Sequence, residues 1–163
     1  MPKMICTPQT FIAQPSNAVH WLREESDFDL VADFWFRVGS PLARETWQQA
    51  IRQYRFRYAG VIHENILLAI ASLIPYSPVA WELGAVGTDE PYRLQGYGKQ
   101  VTAFVTAGIL AEVPIATCTT DDNNEAMIQT ALSIGYRMAD RDETQKYGIL
   151  IGEYFREVDI GII

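Results

Sequence analysis

The sequence predicts a single α+β domain in which helices flank a mixed, mostly antiparallel, twisted sheet. The chain has 163 residues, 48% of them hydrophobic, which is enough for one core and too short for two comfortable domains. From residue 18 onwards, strand-like and helix-like segments follow the order β, α, α, β, β, β, α, β, α, β, β. The β, α, β portion in the middle needs one parallel crossover, whereas the consecutive strands can pair as hairpins.

The first half of the chain contains two predicted helices. Residues 1–17 hold three prolines and carry no motif, so we treat them as an N-terminal extension of the domain, followed by a short strand at 19–23. Helical spacing of Phe28, Val31 and Trp35 predicts a helix that ends by Gly39. Ser40-Pro41 is predicted to open a second helix that extends to about Tyr54, because proline is well tolerated in a first helical turn.

The second half of the chain is richer in strands. Strand-like runs at 56–62 and 66–74 are separated by His63-Glu64-Asn65, which predicts a hairpin turn. A third run, VAWELGAVGT, covers 79–88. The remaining predictions are a helix at 97–112, a strand at 114–120, a helix at 123–134, and final strands at 136–139 and 146–155.

Charge and composition restrict the classes of partner. The net charge of −7 argues against non-specific nucleic-acid binding and is compatible with a cationic small molecule, with a basic peptide, or with a role in solubility alone. No apolar run is long enough to span a membrane, and the N-terminus is a poor signal peptide. Cys6 and Cys118 form no C-x-x-C pair, and His20 and His63 have no third ligand at metal spacing. We therefore expect a cytoplasmic protein without a metal site.

The stretch RLQGYGKQ, residues 93–100, follows the third strand and opens a helix; we call it the glycine loop. Gly96 and Gly98 allow backbone N–H groups to approach an anion, and the helix N-terminus adds partial positive charge. The spacing excludes a Walker loop, whose first glycine would fall at Arg93, and a dinucleotide fingerprint, whose third glycine would fall at Val101. A phosphate-binding nest and a plain glycine-containing turn remain.

Two segments give this loop a specific context. RLQGYG matches the pattern [RQ]-x-x-G-x-[GA], and NEAMIQTALSIGY, residues 124–136, is similar to a pattern N-x-x-[AM] that ends in G-[FY]. With the element order, residues 18–155 resemble the GNAT superfamily of acetyl-CoA-dependent N-acetyltransferases. The resemblance implies a GNAT-like sheet with a central β-loop-α-β unit that binds CoA. It also implies transfer of an acetyl group from acetyl-CoA to a primary amine of an unidentified small molecule or peptide, and it is compatible with a homodimer.

The resemblance also implies where acetyl-CoA binds. Its pyrophosphate would lie on backbone amides of the glycine loop, and its pantetheine arm would pair with the end of the preceding strand. Family members separate this strand from the next, often at a bulge; Gly84 and Gly87 are consistent with a bulge, with close backbone approach, or with simple tolerance of glycine in a strand. The implied acetyl-CoA-binding residues are Ala85, Val86, Gly87, Thr88, Arg93, Leu94, Gln95, Gly96, Tyr97, Gly98, Lys99 and Asn124. Asn124 is equally suited to cap a helix.

The reaction needs a general base, because an amine attacks only when it is unprotonated. Glu82 is the residue predicted for this role. It lies eleven residues before Arg93, the offset of the catalytic glutamate in several histone-acetylating members of the superfamily. Strand alternation predicts that Glu82 shares a face with Gly84 and Val86. The backbone N–H of Val86 is the implied oxyanion donor. An exposed strand carboxylate is the alternative role for Glu82.

One position departs from the superfamily pattern. Ala131 occupies the place of a tyrosine that many members use to protonate the CoA thiolate, and Tyr136 or Tyr147 could replace it only with a different geometry. This departure motivates an alternative function, a non-catalytic CoA-binding or protein-interaction module on a GNAT fold. Aromatic candidates for an acceptor pocket, most of them expected in the core, are Trp35, Trp47, Tyr54, Tyr58 and Trp81.

Overall fold

A computed structural model of the protein describes residues 1–149, which form one seven-stranded sheet with helices on both faces. The strands are β1 (Lys3–Cys6), β2 (Val19–Trp21), β3 (Arg57–His63), β4 (Ile66–Pro75), β5 (Ala80–Thr88), β6 (Ile115–Thr119) and β7 (Arg137–Met138). The helices are α1 (Phe28–Arg37), α2 (Arg44–Arg52), α3 (Tyr97–Leu110), α4 (Glu125–Ser133) and α5 (Arg141–Lys146), with a short 3₁₀ turn at Glu90–Tyr92.

The strands lie in the order β2-β3-β4-β5-β6-β1-β7. Neighbouring strands are antiparallel except β5 and β6, which run parallel and are connected through α3. The predicted α+β class, with a mostly antiparallel sheet and one parallel crossover, is therefore confirmed. The crossover matters for function because it brings the carboxyl ends of β5 and β6 to the same edge of the sheet.

Each face of the sheet has its own apolar core. Leu73 of β4 and Leu83 of β5 pack with α3, whereas Ile70 and Ile74 of β4 pack with Phe34 and other residues of α1 and α2. Strand β4 is buried on both faces, which explains its nearly unbroken apolar sequence. The turn from β3 to β4 consists of Glu64 and Asn65, both with positive φ, as a tight two-residue hairpin requires.

The N-terminal residues belong to the sheet. The predicted element order began at residue 19 and so lacked β1, which lies between β6 and β7 and pairs Met4 with both Cys118 and Met138. Met4, Ile5 and Cys6 are buried. We call residues 7–18 the N-terminal strap. It runs along the end of α4, where the Ile12 N–H donates to Ile134 O at 2.9 Å.

The second helix begins later than predicted. Gly39 has φ +85°, and the Ser40 N–H donates to Trp35 O at 2.8 Å, so these two residues close α1. Helix α2 begins at Arg44 and ends at Arg52. Ser40 was expected to start the second helix, and it instead terminates the first.

The C-terminal region differs in one element from the prediction. The strand predicted at 136–139 is present as β7, but residues 141–146, between the two predicted strands and including Lys146, form α5. Asp140 and Glu143 make a reciprocal capping box at its start, a local signal that the strand prediction did not use. Most of the strand predicted at 146–155 lies outside the described residues.

Candidate active site

Strands β5 and β6 separate at one point and leave a groove. Their parallel pairing extends from Ala80 and Ile115 to Leu83 and Cys118 and goes no further within residues 1–149. Beyond Leu83, β5 continues to Thr88 along β4 alone. The groove therefore lies where the carboxyl ends of two parallel strands diverge, a common position for ligand sites in open α/β sheets.

A β-bulge accompanies the separation. Ser72 faces Gly84 and Ile70 faces Gly87, so one residue of β4 lies opposite both Ala85 and Val86. Ala85 has φ +49°, a backbone conformation that is uncommon for residues other than glycine. The bulge occurs where the sequence analysis expected one, but its strained residue is an alanine between the two glycines.

The bulge reverses the side-chain alternation of β5. Leu83 and Val86 both pack on the face covered by α3, whereas a Cβ on Gly84 would meet Ile74 on the opposite face. Because the extra residue lies between positions 84 and 87, Val86 does not share a face with Glu82. The predicted common face of Glu82, Gly84 and Val86 is therefore wrong for Val86.

Two adjoining cavities occupy the groove. The inner cavity, about 440 Å³, is lined by Met1, Trp35, Leu83, Gly84, Ala85, Val86, Cys118, Thr119, Thr120, Asp121, Asn124 and Met127. The loop cavity, about 520 Å³, is lined by Val86, Gly87, Thr88, Tyr92, Arg93, Leu94, Gly96, Tyr97, Gly98, Lys99, Asn124, Ala126, Met127 and Thr130. They share Val86, Asn124 and Met127, so the groove continues from the bulge to the glycine loop.

The glycine loop presents unused backbone donors. Gly96, with φ +86°, is the N-cap of α3, and the Gln100 N–H makes the first helical bond to Gly96 O at 3.0 Å. The N–H groups of Tyr97, Gly98 and Lys99 have no acceptor within residues 1–149. These donors, at the positive end of the helix dipole, suit an anion such as phosphate.

Close packing explains why position 98 lacks a side chain. A Cβ at Gly98 would lie 3.1 Å from the Thr88 Oγ1, tighter than ordinary contact, and Gly98 lines the loop cavity. The Arg93 Nε donates to Thr88 O at 3.1 Å, which holds the start of the loop against the end of β5.

An ion pair fixes the segment that precedes the glycine loop to α1. Arg37 pairs with Asp89, a largely buried carboxylate directly after β5, and also donates to Leu67 O at 3.0 Å. The helix that carries Trp35 into the inner cavity is thereby attached to the segment that leads into the glycine loop.

Nearly all of the predicted acetyl-CoA-binding residues line the groove. Ala85 lines the inner cavity, Val86 and Asn124 line both cavities, and Gly87, Thr88 and most of the glycine loop line the loop cavity. Gln95 is the exception: it is exposed and lines neither. Asn124 also caps α4, because its side chain accepts from the Met127 N–H at 3.2 Å and donates to the Thr120 Oγ1 at 3.0 Å.

Glu82, the predicted base, is fully buried and lines neither cavity. It lies on β5 between Ile74 of β4 and Thr117 of β6, two positions before Gly84, which does line the inner cavity. Burial raises the pKa of the nearby Tyr76 phenol to about 12, and the negative charge of Glu82 contributes in the same direction. The role of Glu82 as a base stays a prediction.

The tyrosines considered as general acids do not line the groove. Tyr136 is buried, and its hydroxyl is 2.9 Å from the Thr106 Oγ1. Burial raises its pKa well above the usual value, and the hydrogen bond to Thr106 opposes this only in part. Neither Tyr136 nor Tyr147 lines the two cavities, and Ala131 is buried in α4.

The wall that β6 contributes to the groove was not predicted from the sequence. Thr119, Thr120 and Asp121 line the inner cavity at the carboxyl end of this strand. The predicted element order contained a signal for this wall, because a parallel crossover places the carboxyl ends of β5 and β6 side by side. Tyr92 and Met127, which line the loop cavity, also were not assigned.

Two features are absent from the part of the chain that the structure describes. It contains no group of three or more His, Cys, Asp or Glu side chains arranged to hold a metal ion. None of its helices is long and apolar enough to cross a bilayer. Cys6 and Cys118 are buried and are not joined in a disulfide.

Solved structures share this fold. The chain aligns with a protein from Novosphingobium aromaticivorans assigned as an acetyltransferase of the GNAT family, with a TM-score of 0.68 and 20% identity over 85% of this chain. A GNAT-family acetyltransferase from Colwellia psychrerythraea gives 0.68 and 18% over 85%, and a GCN5-related N-acetyltransferase from Sphaerobacter thermophilus gives 0.61 and 14% over 85%. The chain spans 60%, 53% and 48% of the lengths of these structures.

Comparison of sequences, unlike comparison of structures, finds no match. No family model matches the chain, and no curated protein matches it either. The structural likeness shows that the chain has the GNAT fold, and the fold prediction made from the sequence is confirmed.

Proposed function

We propose that the protein transfers an acetyl group from acetyl-CoA to a primary amine. The observation that carries this proposal is the groove at the separation of β5 and β6, whose inner cavity adjoins the loop cavity beside the unused N–H donors of the glycine loop. A long, thin molecule with an anionic end and an apolar arm fits such a groove. Acetyl-CoA has this shape, and the GNAT fold of the chain supports the choice.

The residues present suit each part of acetyl-CoA. The N–H groups of Tyr97 to Lys99 and the cationic Lys99 side chain would hold the pyrophosphate. The pantetheine arm would lie along Val86 to Thr88, where β5 has no partner on its β6 side within residues 1–149. The thioester would then lie in the inner cavity near Ala85 and Val86.

The reaction is acyl transfer by direct attack. The amine nitrogen attacks the thioester carbonyl, the new C–N bond forms, and the C–S bond breaks. The amine loses a proton to a base, for which Glu82 is our candidate; because Glu82 lines neither cavity, the proton would reach it through an intervening water. The released CoA thiolate takes up a proton from its surroundings. The Val86 N–H is the candidate donor to the oxyanion, because the bulge turns the backbone at this point.

Calorimetry with CoA and a thiol-release assay with acetyl-CoA and a panel of amines test this function. Gly98→Leu should weaken CoA binding roughly a hundredfold or more, since the side chain would fill the cavity at the unused donors. Gln95→Leu places the same side chain in the same loop outside both cavities and should leave the affinity unchanged. Wild-type affinity in Gly98→Leu would disprove the phosphate site.

One observation favours a second candidate, a non-catalytic CoA-binding module. Ala131 stands where a catalytic tyrosine is common in the superfamily, and Tyr136 is buried and lines neither cavity. Tight binding of acetyl-CoA without thiol release on any amine would favour this module. We also propose a cytoplasmic location, which the lack of a disulfide between the two buried cysteines, Cys6 and Cys118, supports.

A further inference from the structure

We propose that Ser16 and Gln100 are positioning residues for the acyl donor: Ser16 orients the Gln100 amide so that its NH₂ end, and not its oxygen, lies beside Gly96 of the glycine loop. The inference rests on the CoA binding proposed above and gives the N-terminal strap a role in it. It comes from one hydrogen bond between two residues that are 84 positions apart in the chain.

The hydrogen bonds of the Ser16 hydroxyl determine the direction of the Gln100 amide. The Ser16 Oγ accepts from the Ala18 N–H at 3.1 Å and donates to the Gln100 Oε1 at 2.8 Å. A hydroxyl has one proton to donate, and the carboxamide oxygen can only accept. The bond therefore holds the oxygen of Gln100 against the strap and turns its Nε2 away from Ser16.

Gln100 belongs to the first turn of α3, where the pyrophosphate would bind. Its backbone N–H donates to Gly96 O at 3.0 Å, and its Nε2 lies 3.7 Å from the position that a Cβ on Gly96 would occupy. Gly96 lines the loop cavity and Gln100 does not, so Gln100 acts through Gly96 and through the partial positive charge of its NH₂ group. An amide turned the other way would bring its oxygen toward the anion and weaken binding.

The glycine loop needs support from another segment because its own contacts are few. Gly96, the N-cap of α3, has φ +86° and no side chain that could cap the helix. The three N–H groups that follow it have no acceptor within residues 1–149. Helix ends of this kind fray, and a loop that must first become ordered binds its ligand more weakly.

The N-terminal strap can supply this support. Phe11 and Ala18 pack against the apolar core that includes α3, and the Ile12 N–H donates to Ile134 O at 2.9 Å. Ser16 lies between these attached positions, so the strap holds it in place while it contacts Gln100. A contact that keeps a binding site in its bound geometry raises the affinity without touching the ligand.

Calorimetry with CoA tests the pair. Ser16→Ala and Gln100→Leu should each weaken binding about fivefold, the value of one hydrogen bond, and Ser16→Ala should have no further effect in the Gln100→Leu background. Ser16→Thr keeps the hydroxyl and should retain most of the affinity. Ser77→Ala is the matched control and should leave the affinity unchanged, because Ser77 Oγ accepts from the Val79 N–H at 3.1 Å in the same kind of turn but lines neither cavity.

Gln100→Glu separates an effect on binding from an effect on stability. The carboxylate can still accept from the Ser16 hydroxyl, and a negative charge in the first turn of a helix is favourable, so the Tm should not fall. The same charge lies beside the anion site, so CoA should bind about tenfold more weakly, and the difference should shrink as the salt concentration rises. A residue that only supported the fold would lose affinity and stability together.

The outcomes distinguish this inference from the proposed function. Wild-type CoA affinity in both Ser16→Ala and Gln100→Leu, or losses that add in the double variant, would overturn the positioning role and leave CoA binding and acetyl transfer standing. Equal losses of affinity in Ser77→Ala and Ser16→Ala would also overturn it. Failure of the wild-type protein to bind CoA would overturn both.

Discussion

Gly135 lies where the end of α4 meets the N-terminal strap, and it offers a sharp test of the packing. Its φ is +104°, and a Cβ added there would lie 2.1 Å from Thr10 O and 2.7 Å from Thr10 C. These are backbone atoms, which cannot move aside by rotating a side chain. Gly135→Ala must therefore strain its own backbone and displace the strap.

The loss of stability follows from three contributions. Forcing alanine into this backbone region costs about 1 to 2 kcal/mol. Displacing the strap breaks the bond from the Ile12 N–H to Ile134 O, worth about 1 kcal/mol, and exposes part of the packed Phe11 side chain, worth about another 1 kcal/mol. We expect a loss of about 3 to 4 kcal/mol, or a fall in Tm of roughly 10 °C.

Gly39→Ala provides the control, measured beside Gly135→Ala by urea unfolding at pH 7. Gly39 also has positive φ, +85°, but a Cβ there would have no atom within 4 Å. Its substitution should lower the free energy of unfolding by only about 1 kcal/mol, the conformational part alone. Equal losses in the two variants would show that the strap does not lie against Gly135 and would refute the packing argument.

Three further predictions concern charge. Glu82→Gln should reduce turnover at neutral pH about a hundredfold or more while CoA affinity measured by calorimetry stays nearly unchanged; a wild-type rate would eliminate Glu82 as the base. The Arg137 guanidinium and the Asp140 N–H hold the pKa of Glu143 down to about 2, so the stability that Glu143 adds is present above its ordinary pKa and is lost as the pH falls toward 2. Glu143→Gln should therefore cost about 1 kcal/mol at pH 7 and clearly less at pH 3 in urea titrations, and equal losses at both pH values would contradict this. Arg37→Met should cost about 2 kcal/mol, and combining it with Asp89→Asn should cost less than the sum of the two single changes; strict additivity would argue against a coupled pair.

The fold was predictable where a segment carried its own pattern. The continuous apolar run of β4 and the Glu64-Asn65 turn identify a hairpin without any tertiary information. Strand β1 was not predictable in this way, because four residues near two prolines have no periodicity to detect, and only the gap between β6 and β7 gives them a place. The helix start predicted at Ser40-Pro41 was wrong for a related reason. These residues carry a local signal for a helix start, but the preceding helix closes at Gly39 and Ser40 instead.

The groove was predictable to a similar extent. Glycine spacing and the following helix were enough to indicate an anion site at residues 93–99, and all of these except Gln95 line the loop cavity. The direction of the side chains along β5 was not predictable. A one-residue bulge reverses the side-chain alternation after it, and the bulged residue is an alanine with no turn-forming signature. The position of Trp35 in the lining of the inner cavity was not predictable either, since its helical spacing fits a core position equally well.

The place of β1 in the sheet has a kinetic consequence. Its residues 3–6 pair with 116–119 and 137–138, so the edge of β6 stays open until the two ends of the described chain have met. Such distant contacts form slowly, because the loop between them must close first. During synthesis, β2 to β5 can pair before β6 and β7, the two partners of β1, have left the ribosome. We expect the β6 side of the groove to be the last part of the molecule to acquire protection against amide hydrogen exchange during refolding.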